Sequence, residues 1–497
     1  MGARDQGEGN LNKPTSRGAG QGTAAPNKRA DRQDKAAPAG RREPLYPQLK
    51  ARPGADREAV RADQRARLHG AMIEGVAEYG YTGITTRRLR TLAGVSARTI
   101  YEHFPSKEAY FLATYDQVVY EGMGRIQAAY RAGDVTERDW SAGLCRAFEA
   151  FTAEIIERPK PTRLALLDVL AAGPAARERV EHAEAVFARM VSQSFAQAPE
   201  EVAMPQSLLL SLVGGIWFVT RSRLLRGRPT AIKGSGQELF EWMLTYRDPA
   251  VEALPRRAPV PAPARASRSR PKDDERTRLL RAVAGLAAGG GLPGLTPGQI
   301  THRAEVHADA FAAHFPTVND CFFASLELMS VEAVARALRE SEGAPDWPRA
   351  LCRSVRALLC QIAEDPTFAR AAFVAVYAAG PSGTQRRAEL MRSFAALLAR
   401  QAPQGAKPSA LVAEAIVGSV WSIAHRHVVH DRALMLPSLW PHAAYLALAP
   451  IVGAEAAVEA IRAEIGALDH LAVGRPSAIA AASASRPAAA AAPAAPR

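Results

Sequence analysis

The sequence predicts an all-α protein made of two similar helical modules, and three observations lead to this prediction. Apolar residues at positions 68, 72, 75, 76 and 79 follow the i, i+4, i+7, i+8 spacing of an amphipathic helix. Strand-like alternation bounded by turn residues is not evident anywhere in the sequence. Two blocks of nearly equal size, 57–247 and 272–467, also align with each other.

The alignment of these blocks indicates an internal duplication. Residues 67–105 lie over 278–316 without a gap, and thirteen of these 39 positions are identical. The tetrapeptide Ala-Ala-Gly-Pro at 171–174 recurs at 378–381, and Val-Gly-Gly-Ile-Trp at 213–217 meets a similar pentapeptide 204 residues later. Because ordered matches with small changes of offset seldom arise by chance, we predict two copies of one module of roughly 190 residues.

The composition favours a cytoplasmic protein that meets a polyanion. The 497 residues carry a net charge of +13, which favours nucleic acid or an anionic membrane as partner. The four cysteines form no CxxC pair or zinc knuckle, and the N-terminus lacks the apolar region of a secretory signal. We interpret the longest uncharged stretches, 202–220 and 433–454, as buried helices because both contain prolines and polar residues.

Low-complexity segments separate the folded blocks. Residues 1–56 contain eleven Lys/Arg and six Asp/Glu without an apolar period, and residues 248–271 are rich in Pro, Ala and Arg. The predicted organisation is a disordered basic tail over 1–56, a helix-turn-helix domain over 57–115, a helical domain over 116–247, a linker over 248–271, a degenerate helix-turn-helix domain over 272–326, a second helical regulatory domain over 327–467 and a disordered Ala/Pro tail over 468–497.

The most specific pattern lies in residues 80–108, which read GYTGITTRRLRTLAGVSARTIYEHFPSKE. Thr85 is suited to cap a short helix, Gly94 permits a tight turn, and Ser96 is suited to cap a second short helix over 97–104. Two short helices about a tight turn, packed on a longer preceding helix, predict a helix-turn-helix unit. The flanking start and stop signals are Gly80, Pro105 and Ser106. The predicted core comprises Val76, Leu89, Ala93, Val95, Ile100 and Phe104.

The pattern T-T-x-x-L-x-x-x-A-G-V-S-x-x-T-x-Y-x-H-F-x-S-K-E closely resembles the DNA-binding domain of the TetR family of bacterial transcriptional regulators. The resemblance is strong over 57–115 and weaker over 116–247. It implies two TetR-like modules, each with a three-helix helix-turn-helix domain and a helical ligand-binding and dimerisation domain. It also implies that helix 97–104 enters the major groove of double-stranded DNA.

The resemblance and the side-chain chemistry together assign the DNA contacts. Ala97, Arg98 and Thr99 are the candidates for base edges, and Arg98 can bond a guanine bidentately. The expected phosphate contacts are Thr86, Ser96, Tyr101, His103 and Lys107. Further basic contacts are expected from Arg57, Arg61, Arg65, Arg67, Arg87, Arg88 and Arg90.

The second copy keeps the predicted core but loses these contact residues. Arg98 aligns with Asp309, and Tyr101 aligns with Ala312. Residues 85–107 contain five basic residues and one acidic residue, whereas 296–318 contain one basic and two acidic residues. Such a surface gains no affinity for DNA from the release of counterions. We therefore predict a folded pseudo helix-turn-helix that does not bind DNA. The retained core positions are Leu295, Ile300, Ala304, Val306, Phe311 and Phe315.

Two pairing schemes remain open. The C-terminal parts of one chain can pair as an intramolecular pseudo-dimer with one DNA-binding helix-turn-helix, which we call a reading head. Alternatively, two chains can form a homodimer with two reading heads. The 24-residue linker does not decide between them.

The resemblance further implies a small-molecule effector in a cavity within 116–247, where binding shifts the helix containing 122–130. The candidate ligand-binding residues are Phe148, Phe151, Leu167, Leu170, Phe187 and Met190. The alternative for each is ordinary core, and the stretch 371–381 can equally line a second cavity.

The sequence therefore predicts a cytoplasmic, sequence-specific transcriptional regulator, by default a repressor released by a ligand, with activation left open. We expect no catalytic residues, no cofactor and no metal. The histidines at 425, 427 and 430 are a poor metal site, because they diverge on a regular helix. The alternatives are a protein-interaction or sensor module in which the second copy docks a partner, an enzyme, and non-specific DNA compaction. An apolar patch on 296–318 would favour the docking alternative.

Overall fold

The computed structural model describes residues 57–133, 140–197, 206–246, 254 and 274–473. The predicted tail over 1–56 and almost all of the linker over 248–271 lie outside these residues. Within the described ranges the regular structure is helical and contains no strand, which confirms the all-α prediction. We refer to 57–246 as the first half and to 274–473 as the second half.

The helices alternate with short connections in both halves. The first half contains α1 (Arg57–Gly83), α2 (Thr86–Ala93), α3 (Ala97–His103), α4 (Lys107–Arg131), α5 (Trp140–Glu157), α6 (Pro159–Leu166), α7 (Pro174–Phe195), α8 (Gln206–Leu225) and α9 (Ser235–Leu244), with 3-10 turns at Asp168–Ala171 and Pro229–Ile232. The second half contains α10 (Glu275–Gly290), α11 (Pro297–Ala304), α12 (Ala310–His314), α13 (Val318–Ser341), α14 (Trp347–Glu364), α15 (Pro366–Arg370), α16 (Val376–Ala378), α17 (Gly380–Gln401), α18 (Ala410–Val429), α19 (Trp440–Val452) and α20 (Ala454–Val473), with 3-10 turns at Gln404–Ala406 and Ala433–Leu439 and a π-helical turn at Ala371–Ala375.

Two helices differ from the predicted boundaries. Helix α4 runs through the boundary drawn at 115/116, so the helix that follows the short helices belongs to both predicted domains. Helix α20 continues to Val473, so residues 468–473 are helical and not part of a tail. The remainder of the predicted tail lies outside the described residues.

Helices α1–α3 pack on a small apolar cluster that also contains residues from further along the chain. Leu68, Leu89 and Ile100 belong to this cluster, and so do Leu164 of α6 and Val169 of the following 3-10 turn. A second cluster surrounds α10–α12 and includes the π-helical turn. A third, much larger cluster combines residues of both halves. The short helices are therefore connected by packing to the helices that follow them.

Helices α8 and α18 form the main contact between the halves. An added Cβ on Gly214 would lie 2.3 Å from Oγ of Ser422, and one on Gly418 would lie 2.5 Å from Cβ of Phe218. Positions 214 and 418, and likewise 218 and 422, are 204 residues apart, so the two contacts are reciprocal. Such reciprocity is the property of an interface around a two-fold axis. The small residues allow the two helix backbones to approach closely.

Polar groups reinforce this contact. Arg223 of α8 forms an ion pair with Glu414 of α18, and Nη2 of Arg226 lies 3.3 Å from the same carboxylate. The hydroxyl of Tyr246 donates to the carbonyl oxygen of Leu446 at 2.7 Å. Since Arg223 and Glu414 are both buried, these bonds link the halves inside the core.

Among the described residues, two apolar segments are long enough to cross a membrane by length and composition. They are Leu208–Leu225, 78% of which is buried inside the protein, and Ala433–Val452, 72% of which is buried. Both overlap the uncharged stretches that the sequence analysis assigned to buried helices. Such burial is typical of core helices, so the length and composition of the two segments are only weak evidence for a membrane span.

Candidate nucleic-acid interface

The turn between α2 and α3 has the local geometry that its residues predict. The hydroxyl of Thr85 accepts a hydrogen bond from the backbone N–H of Arg88 at 3.3 Å, and that of Ser96 accepts one from Thr99 at 3.0 Å. Gly94 adopts φ 61° and ψ 34°, a left-handed conformation that favours glycine. These caps satisfy backbone groups at the start of each short helix.

The inward faces of the short helices are fixed in the apolar cluster. Leu89, Ala93, Ile100 and Phe104 are buried, whereas Val95 is half-buried against the same cluster. Val76 of α1 is also buried there. The regular part of α1 is interrupted at Gly80, where φ is 69°, and one further helical turn reaches Gly83.

The outward face of α3 carries two of the residues that the sequence analysis assigned to DNA contact. The side chain of Arg98 is 88% exposed, and Tyr101 is 56% exposed. Nε of Arg98 donates to Oε1 of Glu102 at 2.8 Å, one helical turn away. This exposed face fits the predicted reading helix, provided that Arg98 exchanges Glu102 for a base.

The remaining predicted contacts around α2 and α3 differ in their accessibility. Arg87 and Ser96 are exposed, whereas Thr86, Ala97 and Thr99 are half-buried. The hydroxyls of Ser96 and Thr99 lie 2.9 Å apart and bond to each other. A phosphate contact by Ser96 therefore has to share a hydroxyl that already caps α3.

Lys107 has partners that the sequence pattern does not show. Its Nζ donates to the carbonyl oxygens of Tyr81 at 3.1 Å and Ile84 at 3.4 Å, and it lies 4.6 Å from the Tyr81 ring. Arg88 similarly donates to the carbonyl oxygen of Gly83 at 2.9 Å. Both cations thus stabilise the C-terminal end of α1, where free carbonyl groups and the helix dipole favour positive charge.

His103 and Arg67 both face the interior of this domain. His103 is half-buried, with Nε2 3.3 Å from Oε1 of Gln64, and burial together with Arg65 and Arg61 lowers the pKa of His103. Its imidazole is therefore neutral at neutral pH.

The structure corrects the expectation that Arg67 makes a basic contact with DNA. It is buried, with Nε 2.9 Å from Oδ2 of Asp63 and Nη1 3.4 Å from the carbonyl oxygen of Ala93. The guanidinium therefore holds the turn after α2 and does not reach a flanking phosphate. The neighbouring arginines at 57, 61 and 65 are exposed.

The corresponding surface of the second half has a similar frame with different chemistry. Thr296 and Gln299 form a reciprocal capping box at the start of α11. Glu305 occupies the position that aligns with Gly94 and has φ 54°. The Asp309 side chain is 93% exposed and lies 3.4 Å from the His307 ring. None of the large exposed hydrophobic side chains of the described chain lies in 296–318.

A cavity of about 400 Å³ lies between the halves, and it is not where the sequence analysis expected one. Leu170 lines it, but the other five candidate ligand-binding residues do not. Phe187 instead packs against Phe148 and Phe151, with ring centroids 6.2 and 6.0 Å apart. Leu167 and Met190 are buried in the same large cluster. The alternative stretch at 371–381 does contribute to the cavity.

Several cavity residues were missed, and the clearest is Arg387 of α17. It is only 5% exposed, although a charged side chain at a helical position beside apolar neighbours is unusual. That break in the apolar stripe of α17 was the available signal. His425 also lines the cavity, and burial and the nearby guanidinium groups lower the pKa of His425 to about 3.

The three histidines at the C-terminal end of α18 have separate partners. The ring of His425 lies edge-on to Tyr377, Nδ1 of His427 lies 2.8 Å from the carbonyl oxygen of Ile423, and His430 contacts Glu181 at 3.1 Å. No group of three potential metal ligands occurs among the described residues.

One comparison with known proteins, that with family models, points to the same segment. Residues 73–114 match the model of bacterial regulatory proteins of the tetR family. No curated protein matches the chain. A TetR family transcription regulator from Marinobacter aquaeolei VT8, among the solved structures, is 21% identical over 37% of this chain and 97% of that chain, with a TM-score of 0.31. The family match covers α2 and α3 completely, and it supports a DNA-binding transcription regulator.

Proposed function

We propose that the protein is a sequence-specific transcriptional regulator whose first half reads double-stranded DNA through α3. One observation carries this proposal: Arg98 and Tyr101 project from α3 while Ile100 of the same helix is buried in the core. A short helix that is fixed on one face and presents an arginine on the other can enter a major groove. Base contacts are assigned to Ala97, Arg98 and Thr99, and phosphate contacts to residues around them.

The second half acts in this proposal as a degenerate copy that does not bind DNA. Equivalent contacts support the duplication. The Tyr110 hydroxyl donates to the carbonyl oxygen of Leu68, and Cys321, 211 residues after Tyr110, lies 3.9 Å from the carbonyl oxygen of Leu279. Arg278, which aligns with Arg67, likewise donates to the turn after α11.

The reciprocal packing of α8 and α18 favours pairing within one chain. A chain paired in this way presents one reading head and recognises an asymmetric site. A homodimer through another surface is the alternative, and it would place two heads on a palindromic site. Mass measurement in solution by light scattering distinguishes these, since pairing within the chain requires a particle of one chain.

We further infer a repressor that a small-molecule effector releases, with activation as the alternative, acting in the cytoplasm where the DNA is. Val169 supports a coupling of this kind because it belongs to the apolar cluster of α1–α3 and also lines the cavity. His425 is a poor candidate for a general base in the cavity, because a general base needs a pKa near the working pH and burial lowers the pKa of His425 to about 3.

A module that docks a partner protein through 296–318 is the second candidate. An apolar patch would have favoured it, and the exposed Asp309 and His307 give this surface a polar character instead.

The test compares two substitutions at equivalent surfaces of the intact chain. The operator is first selected from genomic fragments, and its affinity is then measured by fluorescence anisotropy beside random DNA at physiological salt. Tyr101→Ala is expected to weaken binding to all sequences, whereas Asp309→Ala is expected to change little. Equal losses for both variants would contradict a single reading head, and equal affinity for operator and random DNA would contradict sequence-specific reading.

A further inference from the structure

The cavity between the halves is built from segments of both. The first half contributes the 3-10 turn after α6 together with parts of α7 and α8, and the second half contributes the end of α10, the π-helical turn, α17 and α18. Its volume of about 400 Å³ lies within the range of small-molecule sites. A π-helical turn is uncommon and frequently occurs at functional sites.

Arg387 is the unusual feature of this cavity. It is 5% exposed, and within the part of the chain that the structure describes its Nε and Nη2 atoms meet no hydrogen-bond acceptor. The rings of Tyr377, Phe218 and Trp421 surround the guanidinium with centroids 5.2, 5.8 and 5.8 Å from Cζ. Aromatic rings compensate only part of the desolvation of a buried cation. The guanidinium therefore favours an anion that the protein does not itself supply.

The charges around Arg387 lead to the same conclusion. Of the residues that the structure describes, five arginines line the cavity and only two glutamates do. Both glutamates already have partners: Glu181 contacts His430 at 3.1 Å, and Glu184 lies 3.9 Å from Arg426. Burial and the positive charge of Arg221 lower the pKa of Arg387, which is the effect of an uncompensated cation near another.

Part of the remaining lining is apolar and flat. Phe373 and Trp421 stack with ring centroids 3.9 Å apart, and Leu170 and Val374 add aliphatic surface. A ligand that suits these walls has an aromatic or similarly flat apolar body. Elsewhere in the same protein, Arg125 binds the Glu154 carboxylate through Nε and Nη2, with both distances 2.7 Å, which shows the geometry available to a guanidinium and a carboxylate.

We propose that this cavity binds a small aromatic carboxylate, whose carboxylate group pairs with Arg387 and whose ring packs among Phe218, Phe373 and Trp421. The site lies between the halves and differs from the one expected within 116–247. Binding is proposed from the cavity alone, and only its effect on DNA affinity rests on the proposed function.

Calorimetric titration of the full chain tests the site with naphthoate and its neutral analogue naphthylmethanol, which has the same ring system. Naphthoate is expected to bind saturably and at least about tenfold more tightly than naphthylmethanol, because only the carboxylate can pair with Arg387. Equal binding of both probes, or no saturable binding of naphthoate, would overturn the proposal. Preferential binding of inorganic phosphate would also overturn it, since the site would then be one for a simple anion.

Three variants assign the effect to Arg387. Arg387→Met is expected to lose the preference for naphthoate while its thermal midpoint stays the same or rises, since an unpaired buried charge is removed. Arg387→Lys keeps the charge and is expected to retain a weakened preference, which covers the case that the methionine variant does not fold. Arg386→Met, at the exposed neighbouring position, is the matched control and is expected to bind like the wild type. A naphthoate preference that survives in Arg387→Met would refute the assignment.

Anisotropy with the selected operator then separates the site from its role. Weaker operator binding in the presence of naphthoate supports release by the ligand. Saturable naphthoate binding without any change in operator affinity supports the site and contradicts that coupling. A chain that binds no operator contradicts the proposed function, while calorimetry still decides the site.

Discussion

Arg223 and Glu414 form a buried ion pair that joins the two halves of the chain. They are 191 residues apart in sequence and lie on the two helices that pack reciprocally, α8 and α18. A buried ion pair contributes little net stability compared with a well-packed apolar pair, but removing one partner leaves an uncompensated charge. The pair therefore makes the contact between the halves sensitive to single substitutions.

Glu414→Leu is expected to lower the free energy of unfolding by about 3–5 kcal/mol, because Arg223 then remains buried without its carboxylate. The double variant Arg223→Met/Glu414→Leu is expected to recover most of this loss. Urea denaturation followed by circular dichroism measures both. A double variant no more stable than Glu414→Leu alone would show that the unpaired charge is not the cause.

The ion pair between Arg98 and Glu102 is expected to limit DNA affinity. Glu102→Gln frees Arg98 and removes a negative charge from the reading face, and we expect operator affinity to rise by up to about fivefold, or about 1 kcal/mol. Arg98→Ala is expected to reduce discrimination between operator and mutated operator by about 1–3 kcal/mol. Anisotropy titrations measure both effects. Weaker operator binding by Glu102→Gln would mean that the pair positions Arg98 for the base.

Lys107 is expected to act on stability and not on phosphate binding. Since its ammonium group already donates to two carbonyl oxygens at the end of α1, Lys107→Ala is expected to cost about 1.5 kcal/mol in unfolding free energy. The slope of log affinity against log salt is expected to stay unchanged. The exposed Arg87 provides the control, because Arg87→Ala is expected to reduce that slope by about one. Equal slope changes in both variants would assign Lys107 to the phosphates.

The helix-turn-helix could be predicted in detail because its signals are local. Thr85, Ser96 and Ser106 each accept a hydrogen bond from the backbone N–H three residues later, at 3.3, 3.0 and 3.0 Å. Such a contact depends on residue type and spacing alone, so the sequence is sufficient. The positive φ at Gly94 is local in the same sense.

Contacts between distant segments could not be predicted in this way. The carbonyl oxygens that accept from Lys107 lie 23 and 26 residues earlier and become available only where α1 ends. The cavity forms where α8 meets α17 and α18, which are separated from it by more than 150 residues. The phenylalanines at 148, 151 and 187 have the composition of a ligand site, but only the fold decides that they fill a core.

Asp168 is expected to lower the free energy of unfolding as the pH rises, whereas a carboxylate that is paired in the folded chain raises it. Burial raises the pKa of Asp168 from 3.8 to about 6, although Arg163 lies 3.4 Å away and acts against the shift. Because the folded chain then holds the proton more tightly than the unfolded chain, protonation stabilises the fold. The penalty of the ionised carboxylate is fully present above pH 6 and disappears as the pH falls through 6 towards 4.

Asp168→Asn removes this titration and tests the sign. The variant is expected to be more stable than the wild type at pH 8, and the difference in unfolding free energy is expected to shrink by up to about 3 kcal/mol as the pH falls to 4. Subtracting the wild type cancels the half-buried His69, whose pKa is lowered to about 4 and which destabilises the fold in the same pH range. Val169, the next residue, packs in the cluster of α1–α3. We therefore expect the difference in operator affinity between Asp168→Asn and the wild type to shrink over the same pH range. A difference that stays constant from pH 8 to pH 4 would show that Asp168 keeps an ordinary pKa in the folded chain.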